Sequence, residues 1–265
     1  YDGRIRVVQA ETVLCDIERL AGMGARHITF GDPDFLNGWR HSLAIARALH
    51  ERRPELTFDC TTKVEHVLEH APVWEELAAS GCLFVVCALE CVNDEILARL
   101  EKGHTTADAV RTIEQLREHG IEIRPSFMPF TPWTTPRDVL EIIEFVAAHD
   151  LVANVDPVQY TIRLLVPDGS LLLDREDLRE HLGPYDPERL SYPWRSADPE
   201  ADRLHGRLSA LVQQSVAAHE AAGLTFARIR TAVREATGQA GGPQPDAIAV
   251  GSTEGRPRLT EPWFC

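Results

Sequence analysis

The feature that most constrains the fold of this chain is a repeating unit of roughly 25 to 30 residues. Each unit has a short β-branched run, a turn and an amphipathic helix. In the first helix, predicted at 11–23, Leu14 and Ile17 lie on one apolar face, and Gly24 follows its end. The run at 26–32 is the strand that comes next. This alternation predicts a parallel sheet with helices packed against it.

The same order continues along the chain. Four further apolar runs are predicted as buried strands: 56–62, 82–89, 121–127 and 154–160. The intervening helices are predicted at 36–50, 64–79 (with a break), 93–100 (with Asn93 as its cap), 105–119 and 136–149. The rhythm ends near residue 163. We predict three parts: a βα region at 1–163, an extension at 164–237 with one long helix from about 199, and a Gly/Pro-rich tail at 238–265 that ends in PWFC.

The charge balance limits the kinds of partner. The 265 residues include 41 Asp and Glu against 27 Lys and Arg, which gives a net charge of −14. Such a field repels nucleic acid and anionic lipid surfaces. With 44% hydrophobic and 26% charged residues, the composition is that of a folded globular protein and not of a disordered one. We expect neither a nucleic-acid partner nor a membrane partner.

No apolar run of about 18 residues and no secretory signal pattern occurs in the sequence. The six cysteines lack the spacing of a disulfide framework, and several lie within apolar runs. A cytoplasmic location is therefore expected.

Polar side chains follow each predicted strand, where active sites of parallel α/β folds collect. They are Gly31-Asp32-Pro33-Asp34 after the first strand, Lys63 and Glu65 after the second, Glu90 after the third, 125–135 after the fourth, and 159–163 after the fifth. Each of these has a bland alternative. A GDPD segment is also an ordinary turn, and strand-end polar groups also pair merely to satisfy one another.

Several long segments carry a family resemblance. HITFGDPDFLNG, TTKVEH, CALE, ARLEKGHT and RPSFMPFTPWTT resemble the body of a radical S-adenosylmethionine (SAM) enzyme. More narrowly, YDGRIRVV, DPVQYTIRLLVP, LSYPWR and TFARIR resemble the subfamily named for its Cys-Sec-Ala-Glu-Pro or Cys-Cys-Ala-Glu-Pro tail (CUAEP/CCAEP). The resemblance runs over nearly the whole chain.

This resemblance implies a fold and a chemistry. The fold is an α/β partial (β/α)6 TIM-like barrel, here without the first strand and cluster loop, followed by a C-terminal helical extension. The cofactors are SAM and a [4Fe-4S] cluster, which a CxxxCxxC loop binds. An external reductant such as ferredoxin or flavodoxin would supply the electron, and the substrate is unknown.

The resemblance also implies residue roles. Gly31, Asp32 and Pro33 would meet the methionine amino group of SAM through their backbone, where glycine permits close approach. Glu90 would hydrogen-bond the ribose hydroxyls, as carboxylates do in dinucleotide sites. Three further cofactor-binding candidates are Lys63, Gln159 and Arg163, whereas the catalytic residues are unknown.

One feature departs from the family, because no CxxxCxxC occurs in the 265 residues. Three thiolates are needed to hold such a cluster. We expect the cluster cysteines upstream of Tyr1 and expect this chain alone to be inactive. Cys82, Cys87 and Cys91 come near a ferredoxin spacing, but the first two point to opposite faces of a strand, so no metal ligands are predicted within the chain.

Two other classes of function stay open. The segment His66-Val67-Leu68-Glu69-His70 matches an inverted zinc peptidase pattern, with His66, Glu69 and His70 as candidate zinc residues, although Pro72 should end the helix too early. A noncatalytic binding module would instead use LSYPWR or PWFC as a docking surface.

The end of the chain offers a last signal. In the resembled subfamily, selenocysteine or cysteine follows the residue that matches Cys265. The hypothesis is that the natural product continues as Cys-Sec-Ala-Glu-Pro, with a tail thiol at Cys265 that is redox-active or binds a soft metal. The alternative is an ordinary C-terminus with a free thiol.

Overall fold

The computed structural model describes residues 6–239. These residues form two compact units: 6–89 with 106–126, and 90–105 with 127–239. The predicted tail, including Cys265, lies almost entirely outside the described residues. The predicted boundaries at 163 and 237 stay a prediction. Within 6–239, no helix combines the length and apolar character needed to cross a membrane.

The parallel sheet predicted from the sequence is confirmed. Its four strands are β1 (His27–Thr29), β2 (Thr57–Lys63), β3 (Cys82–Glu90) and β4 (Glu122–Phe127), in the order β1-β2-β3-β4. β2 pairs in parallel with both β1 and β3. The fold is therefore α/β, as expected from the alternating pattern.

Helices connect these strands in the first unit. They are α1 (Ala10–Gly22), α2 (Trp39–Arg52), α3 (Val64–Glu69), α4 (Trp74–Ala79) and α6 (Thr106–Glu118). The predicted break falls at His70, where α3 ends and a short 3₁₀ turn, Ala71–Val73, begins. Pro72 explains the break, because a proline within a helix removes a hydrogen bond and clashes with the preceding turn. The buried indole of Trp74 then donates to the Val67 carbonyl at 2.9 Å.

The two faces of the sheet differ in character. Side chains on one face are completely buried: Phe58, Cys60, Val85, Cys87 and Ile123. The opposite face is mixed: Asp59 and Phe84 are buried, whereas Thr29, Thr61, Lys63, Ala88 and Ser126 are exposed or half-buried. Because side chains alternate along a strand, the second face presents the exposed and half-buried groups to a solvent-accessible space.

The second unit contains the remaining helices. They are α5 (Asp94–Arg99), α7 (Pro136–Ala148), α8 (Glu176–Arg179), α9 (Pro199–Ala217) and α10 (Ala222–Ala236). Asn93 caps α5, as predicted, by accepting the backbone N–H groups of Glu95 and Ile96. Its amide also donates to Asp138 at 2.6 Å, and Asp138 forms the capping box of α7 with Thr135. The starts of these two helices are thereby joined.

Two predicted elements of this unit are wrong. Residues 154–160 do not form a strand; Pro157–Thr161 is a 3₁₀ helix, and the only strand-like pairing nearby is a single parallel bridge between Phe130 and Arg163 in the described part of the chain. Pro157 lacks the N–H that a sheet ladder requires. The one long helix predicted from about 199 to 237 is two helices, separated at a turn where His219 is left-handed with φ of 51°.

Candidate functional site

The segment that follows β1 leaves space beside its glycine. A Cβ added at Gly31 would meet no protein atom within 4 Å, so the packing of the chain itself does not require glycine there. Asp32 accepts the backbone N–H of Asp34 at 2.9 Å, which folds the Asp32-Pro33-Asp34 segment into a local turn. The segment combines a fixed backbone with free room next to Gly31.

Asp34 is the centre of a polar cluster at the ends of β1 and β2. Its carboxylate is 6% exposed and accepts the Thr62 hydroxyl at 2.9 Å. His66 Nδ1 lies 3.0 Å from this carboxylate, and Lys63 Nζ lies 3.5 Å from it. The predicted candidate Lys63 therefore sits beside a buried carboxylate, while more than half of its own side chain is exposed.

The contacts of His66 bear on the zinc pattern. His66 Nδ1 lies within hydrogen-bond distance of the Asp34 carboxylate, and α3 ends at His70. In the described residues, 6–239, no group of three or more His, Cys, Asp or Glu side chains is arranged to hold a metal ion.

Glu90, at the end of β3, has an unusual backbone. Its φ is +64°, in the left-handed region that a residue with a side chain seldom adopts. The Glu90 carbonyl accepts the Met128 N–H at 2.7 Å, and its carboxylate accepts Lys102 Nζ at 2.6 Å. Strained backbone of this kind persists where the surroundings fix it, and it concentrates at functional sites.

The last two predicted site residues, Gln159 and Arg163, make their contacts within the second unit. Gln159 accepts the Phe127 N–H through its side-chain oxygen at 3.1 Å. Arg163 lies 3.8 Å from the Trp194 ring centre and pairs with Asp202 at 3.0 Å. These contacts hold the segments that follow β4, and a cofactor role for either side chain stays a prediction.

Sequence reasoning missed a polar network on the more exposed face of the sheet. Asp59 is 1% exposed and accepts both the Thr29 hydroxyl at 2.7 Å and, on the same oxygen, a contact from His27 Nε2 at 2.8 Å. The other His27 nitrogen lies 2.8 Å from the Thr57 hydroxyl. The signal was present in the sequence, because His27 and Thr29 alternate with apolar residues, as Asp59 does in β2.

The predicted candidates fall into two groups. Gly31, Asp32, Pro33 and Lys63 belong to the first unit, where the Asp34 turn and cluster bring them together. Glu90, Gln159 and Arg163 belong to the second unit. There, Lys102 joins Glu90 as a partner that its place in the sequence, away from any strand end, does not predict.

The prediction that Cys82 and Cys87 point to opposite faces of a strand is wrong, because the register shift between β2 and β3 places both on the same buried face. Cys60 is fully buried, and a hydrogen bond with Cys82 together with burial raises the pKa of its thiol well above the usual value. Burial raises the pKa of Cys91 to about 12. Cluster ligation needs thiolates, and these environments favour the neutral thiol.

A comparison with protein-family models identifies one family. A sequence model of the radical SAM superfamily matches residues 1–146. No curated protein sequence matches the chain significantly.

Solved structures are similar at the level of the fold. OxsB, a cobalamin-dependent S-adenosylmethionine radical enzyme, solved with aqua-cobalamin and S-adenosylmethionine bound, gives a TM-score of 0.67 at 15% identity over 84% of this chain and 38% of OxsB. OxsB with aqua-cobalamin bound gives 0.66 at 14% identity, with the same coverage. TsrM, a radical S-adenosylmethionine methyltransferase from Kitasatospora setae, gives 0.48 at 22% identity over 54% of this chain and 27% of TsrM. The chain spans 38% of the length of OxsB.

Proposed function

The chain belongs to the radical SAM superfamily, and from this membership we propose that it forms the SAM-binding body of an enzyme that starts hydrogen-atom abstraction from a substrate. Enzymes of this superfamily use a [4Fe-4S] cluster to cleave SAM reductively. The observation that carries the proposal is the family match over residues 1–146, which includes the three strand-end segments around Gly31, Lys63 and Glu90.

The proposal assigns the SAM contacts to two places. The Gly31-Asp32-Pro33 backbone meets the methionine amino group, which is supported by the free space beside Gly31 and the fixed turn after it. Glu90 accepts the ribose hydroxyls, which is supported by its place at a strand end and by its left-handed backbone. Lys63, Gln159 and Arg163 are secondary candidates.

The cluster ligands are proposed to lie outside residues 6–239. This is supported by Cys60 and Cys91, which are buried in environments that raise their pKa and favour the neutral thiol. An upstream CxxxCxxC loop in the whole protein would supply three thiolates. A ferredoxin or flavodoxin as reductant and a cytoplasmic location complete the proposal.

The narrower subfamily is part of the same proposal. We infer a CUAEP/CCAEP-type tail from the segments quoted above, so that Cys265 precedes a selenocysteine or cysteine in the natural product. Mass spectrometry of the native protein tests this directly. A terminus at Cys265 would remove the tail from the proposal and leave the SAM site unaffected.

Binding and turnover test the main proposal separately. Binding of S-adenosylhomocysteine to the chain, measured by calorimetry, should weaken by about tenfold or more in Glu90→Gln, because hydrogen bonds to a charged group contribute about 1.5–3 kcal/mol. For turnover, the whole protein is prepared without oxygen, its iron and sulfide are measured, and 5′-deoxyadenosine is assayed under reduction. Four irons per chain with 5′-deoxyadenosine formation is the expected result; absence of both contradicts the proposal.

No observation favours either of the other classes. The zinc alternative places two histidines on α3, but His66 contacts Asp34 and His70 ends the helix. Stoichiometric zinc that is lost in His66→Ala would support a zinc-dependent hydrolase. A docking module that uses LSYPWR predicts neither zinc nor adenosyl-ligand binding.

A further inference from the structure

We propose that Lys102 is a positioning residue, which holds the Glu90 carboxylate through one oxygen and leaves the other oxygen to a ribose hydroxyl. The inference rests on the proposed SAM site. It adds Lys102 to that site and explains why this residue is a lysine. Its basis is the contact between Lys102 Nζ and Glu90 Oε1 at 2.6 Å.

The use of lysine in this chain is selective. Of the 27 basic residues, only Lys63 and Lys102 are lysines, and the other 25 are arginines. Each lysine lies beside a carboxylate at or after the end of a strand: Lys63 near Asp34 in the first unit, and Lys102 at Glu90 in the second. The ion pairs elsewhere in the described residues are made by arginine or histidine, as with Arg175 and Asp177.

Lysine and arginine bind a carboxylate differently. An ammonium group is a compact point charge that contacts a single oxygen, whereas a guanidinium fork binds both oxygens in parallel. An arginine at 102 would therefore occupy both carboxylate oxygens of Glu90 and leave neither to a ribose hydroxyl. A lysine orients the carboxylate and keeps one oxygen accessible.

Backbone geometry fixes both ends of this pair. At Glu90, the left-handed φ and the hydrogen bond from Met128 set the direction in which the side chain leaves the strand. At the other end, Lys102 follows Glu101, whose φ is +52°, and precedes Gly103, whose φ is +72°.

The turn around Lys102 is anchored to the preceding helix. The Lys102 N–H donates to the Leu97 carbonyl at 3.1 Å, and the Glu101 N–H donates to the Ala98 carbonyl at 3.1 Å. This is the hydrogen-bond pattern of a left-handed helix end. The Glu90 side chain is 13% exposed and that of Lys102 is 34% exposed, so water screens the pair only in part.

Ribose discrimination is the readout that separates this role from a purely structural ion pair. Wild-type chain, Lys102→Met and Lys102→Arg are titrated with S-adenosylhomocysteine and with its 2′,3′-dideoxyribose analogue. The wild type should prefer the ribose ligand about tenfold. Lys102→Met should lose this preference because the carboxylate is no longer held, and Lys102→Arg because both oxygens are occupied.

Thermal melting accompanies each titration. Lys102→Arg keeps an ion pair and should melt close to the wild type, so its loss of discrimination cannot be attributed to unfolding. Arg137→Met is the matched control, because Arg137 is 84% exposed, and it should keep both stability and discrimination.

Three outcomes are distinguishable. Loss of discrimination in both variants supports the role of Lys102. Discrimination retained in Lys102→Arg overturns it and leaves the proposed SAM site standing. A wild type that binds both ligands equally, or neither, overturns the assignment of Glu90 and with it this inference.

Discussion

The guanidinium carbon of Arg163 lies 3.8 Å from the centre of the Trp194 indole ring. The same guanidinium donates to the Trp194 carbonyl at 3.2 Å and pairs with Asp202 at 3.0 Å. The Trp194 indole N–H in turn donates to the Leu164 carbonyl at 2.7 Å. Arg163 therefore links the segment after the 3₁₀ helix both to the aromatic LSYPWR segment and to α9.

This linkage predicts a stability cost for Arg163→Ala. Loss of a partly buried cation–π contact and an ion pair should lower the free energy of unfolding by about 1–2 kcal/mol. The free energy of unfolding of Arg163→Lys should lie between those of the wild type and Arg163→Ala. Lysine keeps the charge, but it cannot stack as a plane on the indole or donate in parallel as a guanidinium does. Urea denaturation measures both variants.

Arg137→Ala is the matched control for Arg163 and should stay within about 0.5 kcal/mol of the wild type. Unchanged stability with weaker S-adenosylhomocysteine binding in Arg163→Ala would assign Arg163 to the ligand and not to the fold.

Alanine substitutions at two glycines of the first unit, Gly81 and Gly31, should affect stability differently. At Gly81, φ is +99° and an added Cβ would lie 2.9 Å from the Leu56 carbonyl oxygen. Gly81→Ala should lower the free energy of unfolding by about 2–4 kcal/mol, because backbone strain and a clash with the main chain add together. Thermal and urea denaturation test this.

Gly31→Ala should change stability little, since its Cβ meets no protein atom within 4 Å. If the space beside Gly31 receives SAM, this variant should weaken S-adenosylhomocysteine binding by at least about tenfold. Unchanged binding in Gly31→Ala would separate the glycine from the proposed contact with the amino group.

His205 predicts a dependence of stability on pH. Burial, with help from the charge of Arg163, lowers the pKa of this imidazole. The unfolded chain then takes up a proton near pH 6.5 where the folded chain does not, so stability is greatest above that pH and falls as the pH drops through the folded pKa. His205→Gln should remove this part of the loss of stability as the pH falls below about 6.5.

The wild type and His205→Gln are compared by urea denaturation at several pH values. Parallel pH profiles for the two proteins would show that His205 does not carry the effect.

Glu144 predicts an acid-sensitive contact between α7 and α10. Its carboxylate accepts hydrogen bonds from Arg230 and Arg234. Burial acts to raise its pKa, but the hydrogen bonds and charges of the two arginines together outweigh burial and lower it. Glu144→Gln should cost about 1 kcal/mol at pH 7.

The cost of Glu144→Gln should shrink as the pH falls through the lowered pKa, because the wild-type carboxylate is then protonated as well. Denaturation of both proteins at pH 7 and in acid measures this convergence. A difference that is independent of pH would point to lost packing.

The sequence predicts the four strands because each is a short apolar run with β-branched residues between turn signals. It also predicts the break at Pro72 and the cap at Asn93, because both depend on local backbone chemistry. Two predictions fail. The composition of 154–160 suits a strand, but Pro157 interrupts it; the composition of 199–237 suits one helix, but a left-handed turn at His219 divides it.

Only part of the candidate site can be predicted from the sequence. Strand-end positions such as Glu90 follow from the order of the elements alone. The partner Lys102 does not, because it is 12 residues away along the chain and meets Glu90 only through the turn after α5. The Asp59–His27 contact likewise depends on the register of two strands, which periodicity does not specify.

The reactivity of Cys15 should differ from that of the buried cysteines. Cys15 is exposed, whereas Cys60, Cys82, Cys87 and Cys91 are buried. The raised pKa values of Cys60 and Cys91 further reduce the fraction of reactive thiolate. Brief alkylation of the native chain, followed by peptide mass spectrometry, should therefore label Cys15 and leave the four buried thiols unmodified until urea is added.

The same thiols can be tested against cluster binding. If the cluster ligands lie outside residues 6–239, the triple variant with Cys82, Cys87 and Cys91 changed to alanine should contain as much iron as the wild type after anaerobic reconstitution of the whole protein. Its stability is measured in parallel, since each change leaves a small cavity. Iron lost from a folded triple variant would place the cluster at these residues and overturn the proposed location of the ligands.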